Sequence, residues 1–186
     1  MIMLKNSKMI FVTAAVLIAA ATRLFPHPVN FTAVGAMAIF GGSMLNDKRL
    51  AVLIPLAALW LSDLFLNNVI YSTGSFTLIH SGFYWTYIPF VLMALGAHRF
   101  ISKLSVGKIA TTSLVASTFF FLVSNFGSWV GMEMYSKDFS GLIAAYVAGL
   151  PFFPNTVAGD LFFNAVLFGG FALASAKFPR LAKQQA

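Results

Sequence analysis

Asp63 and Asp160 are the acids of this chain that interrupt long apolar sequence, in Leu61-Ser62-Asp63-Leu64 and Gly159-Asp160-Leu161. A carboxylate in such a setting must be ion-paired, hydrogen-bonded or protonated, because an isolated charge removed from water is very costly. Arg23 closes the first apolar run and is the obvious candidate partner. Other polar and aromatic side chains fall at corresponding positions along the chain. Asn30 follows Arg23, and Asn67 follows Asp63. His80, Tyr84 and Trp85 precede the fourth apolar run, Asn125 and Trp129 end the fifth, and Asn155, Asp160 and Asn164 open the sixth. Together they describe a hydrogen-bonding pocket with aromatic walls. Taken one at a time, each has a plainer role as a helix bracket, a salt-bridge member or an interfacial anchor.

Several chemistries are excluded or weakly supported. The chain has no cysteine, which removes disulfides, thiolate metal sites and thiol nucleophiles. No two histidines stand four apart, so no metal site is expected. There is no phosphate-binding loop, no His-Glu-x-x-His and no Gly-x-Ser-x-Gly. No catalytic residue and no cofactor is expected, although an Asp63/Asp160 pair acting on a lipid or head group stays open as an enzymatic alternative. A purely structural membrane subunit is the other alternative.

The elements that must position these residues follow from composition. Hydrophobic residues make up 59% of the 186 and charged residues 9%, against roughly a quarter charged in a soluble domain. A membrane crossing needs about 20 apolar residues, with a range of about 17–25. Six runs qualify or nearly do: 9–25, 31–45, 50–66, 83–97, 109–132 and 157–176. A shorter apolar stretch, 139–150, reads as a surface or re-entrant helix ended by the Pro151-Phe152-Phe153-Pro154 corner, where prolines oppose continuation. The expectation is one all-α membrane domain, a bundle of six spans in the inner membrane.

Basic residues set its orientation, since cytoplasmic loops collect Lys and Arg. With the N-terminus inside, Lys5, Lys8, Lys48, Arg49, Arg99, Lys103, Lys108, Lys177, Arg180 and Lys183 all fall inside, and only Arg23 and Lys137 fall outside. Both termini are then cytoplasmic, and the polar cluster gathers at the outer helix ends. Lys5, Lys8 and Ala19-Ala20-Ala21 also fit a cleavable signal peptide, which would leave the remaining topology unchanged. Small residues at four-residue spacing permit close helix approach. They occur as Ala15 and Ala19, as Gly41-Gly42, and as Gly169-Gly170, serving either packing within the bundle or contact with another membrane subunit.

Three segments carry a resemblance over about residues 10–178. They are Arg23-x-x-Pro26-x-Pro28-x-Asn30-Phe31-Thr32-x-x-Gly35-Ala36, Leu61-Ser62-Asp63-Leu64, and Leu150-Pro151-Phe152-Phe153-x-Asn155-Thr156-x-x-Gly159-Asp160. The chain resembles a family of small uncharacterised bacterial membrane proteins. That family is similar to the substrate-binding S components of energy-coupling-factor vitamin transporters. The resemblance implies a six-helix S-component-like fold, retention of the first span, and a micronutrient bound near the outer surface. It implies a transmembrane coupling subunit with ATPases as partner, met through Ala15 and Ala19. The stretch 76–89 is also similar to solitary cobalamin carriers, which ligate cobalt through cysteine. With none here, His80 is the substitute ligand on that reading.

Overall fold

The computed structural model describes residues 2–72 and 74–182 and is all-helical, with no strand among the described residues. Lys183 of the basic collar lies outside the described residues, as does the side chain of Lys5. Helix α1 (Ile2–Ala21) runs into a 3-10 turn, Thr22–Leu24. It is followed by α2 (Val34–Met44), α3 (Lys48–Phe65) with a π turn at Leu66–Ile70, and α4 (Tyr84–Phe100). Then come α5 (Val106–Gly131), α6 (Phe139–Gly149), a 3-10 turn at Leu150–Phe152, α7 (Phe153–Lys177) and the short α8 (Pro179–Ala182).

Helix starts follow local chemistry. The first backbone N–H groups of a helix lack partners within it, and a preceding Asp or Ser side chain supplies one. Asp47 accepts from Arg49 and Leu50 at 2.8 and 3.1 Å to open α3. Ser105 accepts from Lys108 at 3.2 Å to open α5. Asp138 accepts from Gly141 at 2.8 Å to open α6, and that N–H, with the Ser140 and Ser136 hydroxyls, holds its carboxyl below the usual range.

The proline corner behaves differently from the sequence expectation. The chain stays helical through it, as the 3-10 turn and then α7 from Phe153, four residues earlier than 157. Pro151 and Pro154 each occupy the first turn of their segment, where a missing N–H costs nothing.

Four helical stretches are long and apolar enough to cross a membrane: Ser7–Leu24, Lys48–Ile70, Val106–Gly131 and Phe139–Lys177. Their outward faces carry Ile10, Ile18, Leu53, Leu61, Val115, Leu122, Phe162 and Val166, each at least 48% exposed. A water-soluble monomer does not leave so much large apolar surface uncovered. The chain is therefore a membrane protein with several apolar helices. The 11 residues of α2 and the 17 of α4 fall short of that length.

Helix α2 is the axis of the packing. It is apolar all round, buried from Gly35 to Gly42, and packs against α1, α3, α4, α5 and α7. At 1.5 Å per residue it covers only about 16 Å, roughly half a hydrocarbon core. The non-helical segment 25–33 leads into it, with Asn30 in the left-handed region at φ 63°. Core side chains close around α2, including Val12, Val16, Leu59, Phe90 and Phe168, with Phe40 edge-on to Phe168 at 5.0 Å.

Two glycines let α2 approach its neighbours. A β-carbon on Gly41 would overlap Pro55 of α3, and one on Gly42 would overlap the Ala94 carbonyl of α4. By contrast Gly169 and Gly170 face open space. Gly42→Ala is expected to lower stability by about 1–3 kcal/mol through overpacking. Gly169→Ala should stay within about 0.5 kcal/mol. Thermal unfolding in detergent followed by circular dichroism separates the two.

Candidate functional site

Arg23, on the turn after α1, reaches the last turn of α3. Its Nη1 lies 2.7 Å from Asp63 Oδ1 and also donates to the Ser62 hydroxyl. The second carboxylate oxygen, Oδ2, accepts from the Tyr87 hydroxyl of α4 at 2.7 Å. Asp63 is 8% exposed. One acid thus holds three segments together, and of the two acids the sequence offered to Arg23 it is Asp63 that pairs with it. The Arg23 Nε is buried and has no partner.

Asp160 has wholly separate partners. It sits 3% exposed on α7 and accepts from Ser117 of α5 at 2.6 Å. Its carboxylate also faces the backbone N–H groups of Gly35 and Ala36 at close range. Those are the second and third residues of α2, whose own preceding residue, Ala33, offers no side-chain cap. Asp160 thus stands where an N-cap of α2 would, delivered from another helix. The positive end of the α2 dipole favours an acid at that place. A turn further along, Asn164 donates to Ser113 at 3.3 Å, leaving its Oδ1 buried without a partner. Ser113/Ser117 and Asp160/Asn164 are thus two four-residue pairs facing each other across the α5–α7 seam. Four residues is about one helical turn, so the pairs stack in register.

Between these two clusters lies a cavity of about 170 Å³. Arg23, Asn30, Thr32, Thr86, Thr156 and Asp160 supply its polar wall, and Val34, Met93 and Phe120 its apolar wall. It brings a guanidinium, three hydroxyls, an amide and a carboxylate around one partly open space. Such a set can orient a small polar solute by several directed hydrogen bonds.

Of the sequence candidates, Arg23, Asn30 and Asp160 line this cavity, with Asp63 directly behind Arg23. The others serve elsewhere. Asn155 donates to the Val29 carbonyl at 3.0 Å, tying α7 to the 25–33 segment. Asn125 bonds to its own helix at Phe121 and packs on Gly149 of α6. Trp85 covers Gly127 and Phe126, its indole N–H buried without a partner, and Tyr84 lies exposed beside it. Trp129 donates to Ser136 at 2.8 Å. The His80 Nδ1 lies 2.9 Å from the Ser81 carbonyl, and its ring lies beside Tyr87. Asn67 is half-buried in the π turn. Its neighbour Asn68 holds the 71–83 loop through both the carbonyl and the N–H of Thr77. Ala19 is buried in the core and Ala15 packs against it, so both turn inward.

Sequence reading missed Tyr87 as a bonding partner, and it missed Ser117, Thr32, Thr86 and Thr156. The matched four-residue spacing of Ser113/Ser117 and Asp160/Asn164 was the one available signal. Among the described residues no group of three His, Asp or Glu could hold a metal ion.

No curated protein and no solved structure matches the chain. A family model covers residues 3–181, nearly the whole length, and carries no assigned activity. The chain belongs to that family, described as a family of unknown function, DUF6580.

Proposed function

We propose that the protein is the substrate-binding membrane component of a micronutrient uptake system, six spans with both termini cytoplasmic and the Arg23 end facing outward. The partly open cavity between Arg23 and Asp160, with polar groups set in a largely apolar wall, carries this reading. Polar groups within a membrane domain are costly, and their gathering around one space marks a solute site. Orientation draws on the basic collar, because Lys8, Lys48, Arg49, Arg99, Lys103, Lys108, Lys177 and Arg180 lie toward the opposite end of the helices from Arg23. On this topology α2 and α4 are the short members of the bundle. The S-component resemblance supplies a partner, a transmembrane coupling subunit with ATPases. Ala15 and Ala19 face the core, so that contact would fall on another face of α1.

Size narrows the substrate. Pockets for drug-sized ligands run about 300–1,000 Å³, and this cavity is about 170 Å³. A small, polar, uncharged or zwitterionic solute fits as the walls stand, whereas a larger vitamin requires them to part. The enzymatic alternative needs a carboxylate free to act, and both acids are engaged with separate donors.

Mass spectrometry of small molecules released from detergent-purified protein tests the reading, with thermal-shift screening of water-soluble nutrients beside it. A copurifying solute, or one that raises the melting temperature, is expected. Thr156→Val, which touches neither acid, should weaken that solute about tenfold by removing one hydrogen bond. Folded protein that releases nothing and shifts with no compound would end the proposal.

A further inference from the structure

We infer that the end of the bundle opposite Arg23 holds a second site, for a phosphate group, built around Lys8. Lys8 lies on α1 and is only 6% exposed. Its ammonium has no hydrogen-bond or ion-pair partner among the described residues, in contrast to the paired Arg23. Its stem is buried while its ammonium opens onto an adjoining space, and a lysine so placed favours an anionic partner there. Its surroundings say what would satisfy it.

Lys8 borders a cavity of about 320 Å³ at the ends of α2 and α4. Ser43 and Asn46 line one side of that space, and Ser102 and Lys103 line the other. Lys8 also borders a smaller space of about 70 Å³ shared with Asp47. That acid spends Oδ1 on the N–H groups of Arg49 and Leu50 as the cap of α3. Among the described residues the wall of the larger cavity thus draws on two lysines, on Ser102, on Ser43, whose hydroxyl also reaches the Phe40 carbonyl at 3.3 Å, and on Asn46, and no acid belongs to it. A tetrahedral oxyanion matches this set, because charge-assisted bonds from lysine and bonds from hydroxyl and amide donors can reach several oxygens together. The volume leaves room for the substituent that a phosphate ester carries.

The ligand chemistry is a phosphate, and it has two sources at a membrane surface: the head group of an anionic lipid, or a soluble phosphate. The site does not depend on the outer-pocket reading. On the topology proposed above it faces the cytoplasm.

Two arms of one experiment separate the sources. In detergent, the melting temperature is followed with inorganic phosphate. In nanodiscs, phosphatidylglycerol is compared with phosphatidylcholine. Wild-type protein is expected to be stabilised in at least one arm; a response confined to nanodiscs assigns the head group, and one in detergent assigns soluble phosphate. Lys8→Met keeps the stem and removes the charge, so it should fold at least as well in phosphate-free detergent. It should lose about tenfold or more in apparent affinity. Thr156→Val should respond like wild type, so failure of the outer pocket leaves this result standing. Absence of stabilisation in both arms, or an equal response from Lys8→Met, overturns the site.

Discussion

Arg23→Met is expected to lower the unfolding free energy by about 3–5 kcal/mol, while Arg23→Met combined with Asp63→Leu is expected to cost little or nothing. The asymmetry follows from burial. Removing one partner of a buried pair strands the other charge, whereas replacing both by apolar groups removes the desolvation problem as well. Arg23 and Asp63 side chains are 14% and 10% exposed, and their contact is 2.7 Å. Tyr87 would still donate to the stranded carboxylate, so part of its demand stays met. For that reason Asp63→Asn, which keeps an acceptor for Tyr87, should fall between the single and double replacements. Dodecyl sulfate titration in mixed micelles, followed by helical circular dichroism, on wild type, Arg23→Met, Asp63→Leu and their combination gives all four corners of the cycle. A double variant as unstable as the sum of its parts would show that the pair carries no coupling. The tie between the end of α1 and the end of α3 would then need another explanation.

How much of this was legible beforehand divides along a physical line. That Arg23 would meet one of the two apolar-sequence acids was readable because it was the one cation at the outer end of a run; which of Asp63 and Asp160 it meets was not. Asp160 was not readable as a cap. Its partners are backbone N–H groups of Gly35 and Ala36, more than a hundred residues away, and backbone groups leave no trace in residue type. The caps Asp47, Ser105 and Asp138 went unread, but apart from the start of α1 helix ends were placed within a few residues from the apolar runs alone. Helix faces were not, because in lipid both the core face and the outer face are apolar and periodicity loses its contrast. This is why Trp85, Asn125 and Trp129, expected at the pocket, serve the α4–α5 seam, the α5–α6 seam and the loop after α5 instead. The short α2 was hidden for a related reason. Residues 31–33 are as compatible with a span as the helix that follows, yet they belong to an irregular entry whose turn depends on Asn30 in a left-handed conformation.

Gly35→Ala should be among the most disruptive single-methyl additions in this chain. A β-carbon there would overlap the Asp160 carboxylate, which could yield only toward the cavity it lines, away from its present partners. Ser117 holds one oxygen at 2.6 Å, and the first turn of α2 holds the group from the other side. Moving it away would surrender the cap. The expected loss is about 1–3 kcal/mol for overpacking, plus a similar amount for each N–H left unpaired away from water. Asp160→Ala removes the clash and the cap together. It should be destabilising alone, but combined with Gly35→Ala it should cost less than the two single losses added. Asp160→Asn retains an acceptor oxygen and should be the mildest of the set, provided the amide nitrogen turns away from α2. Amide hydrogen exchange at Gly35 and Ala36 gives a local readout that a general loss of packing would not single out. Faster exchange confined to the first turn of α2 in Asp160→Ala is the expected result. Unchanged exchange there, with the protein otherwise folded, would mean that α2 does not depend on Asp160. The acid would then be free to contact whatever enters the cavity. The cap and the ligand contact are thus competing uses of one carboxylate, and this measurement decides between them.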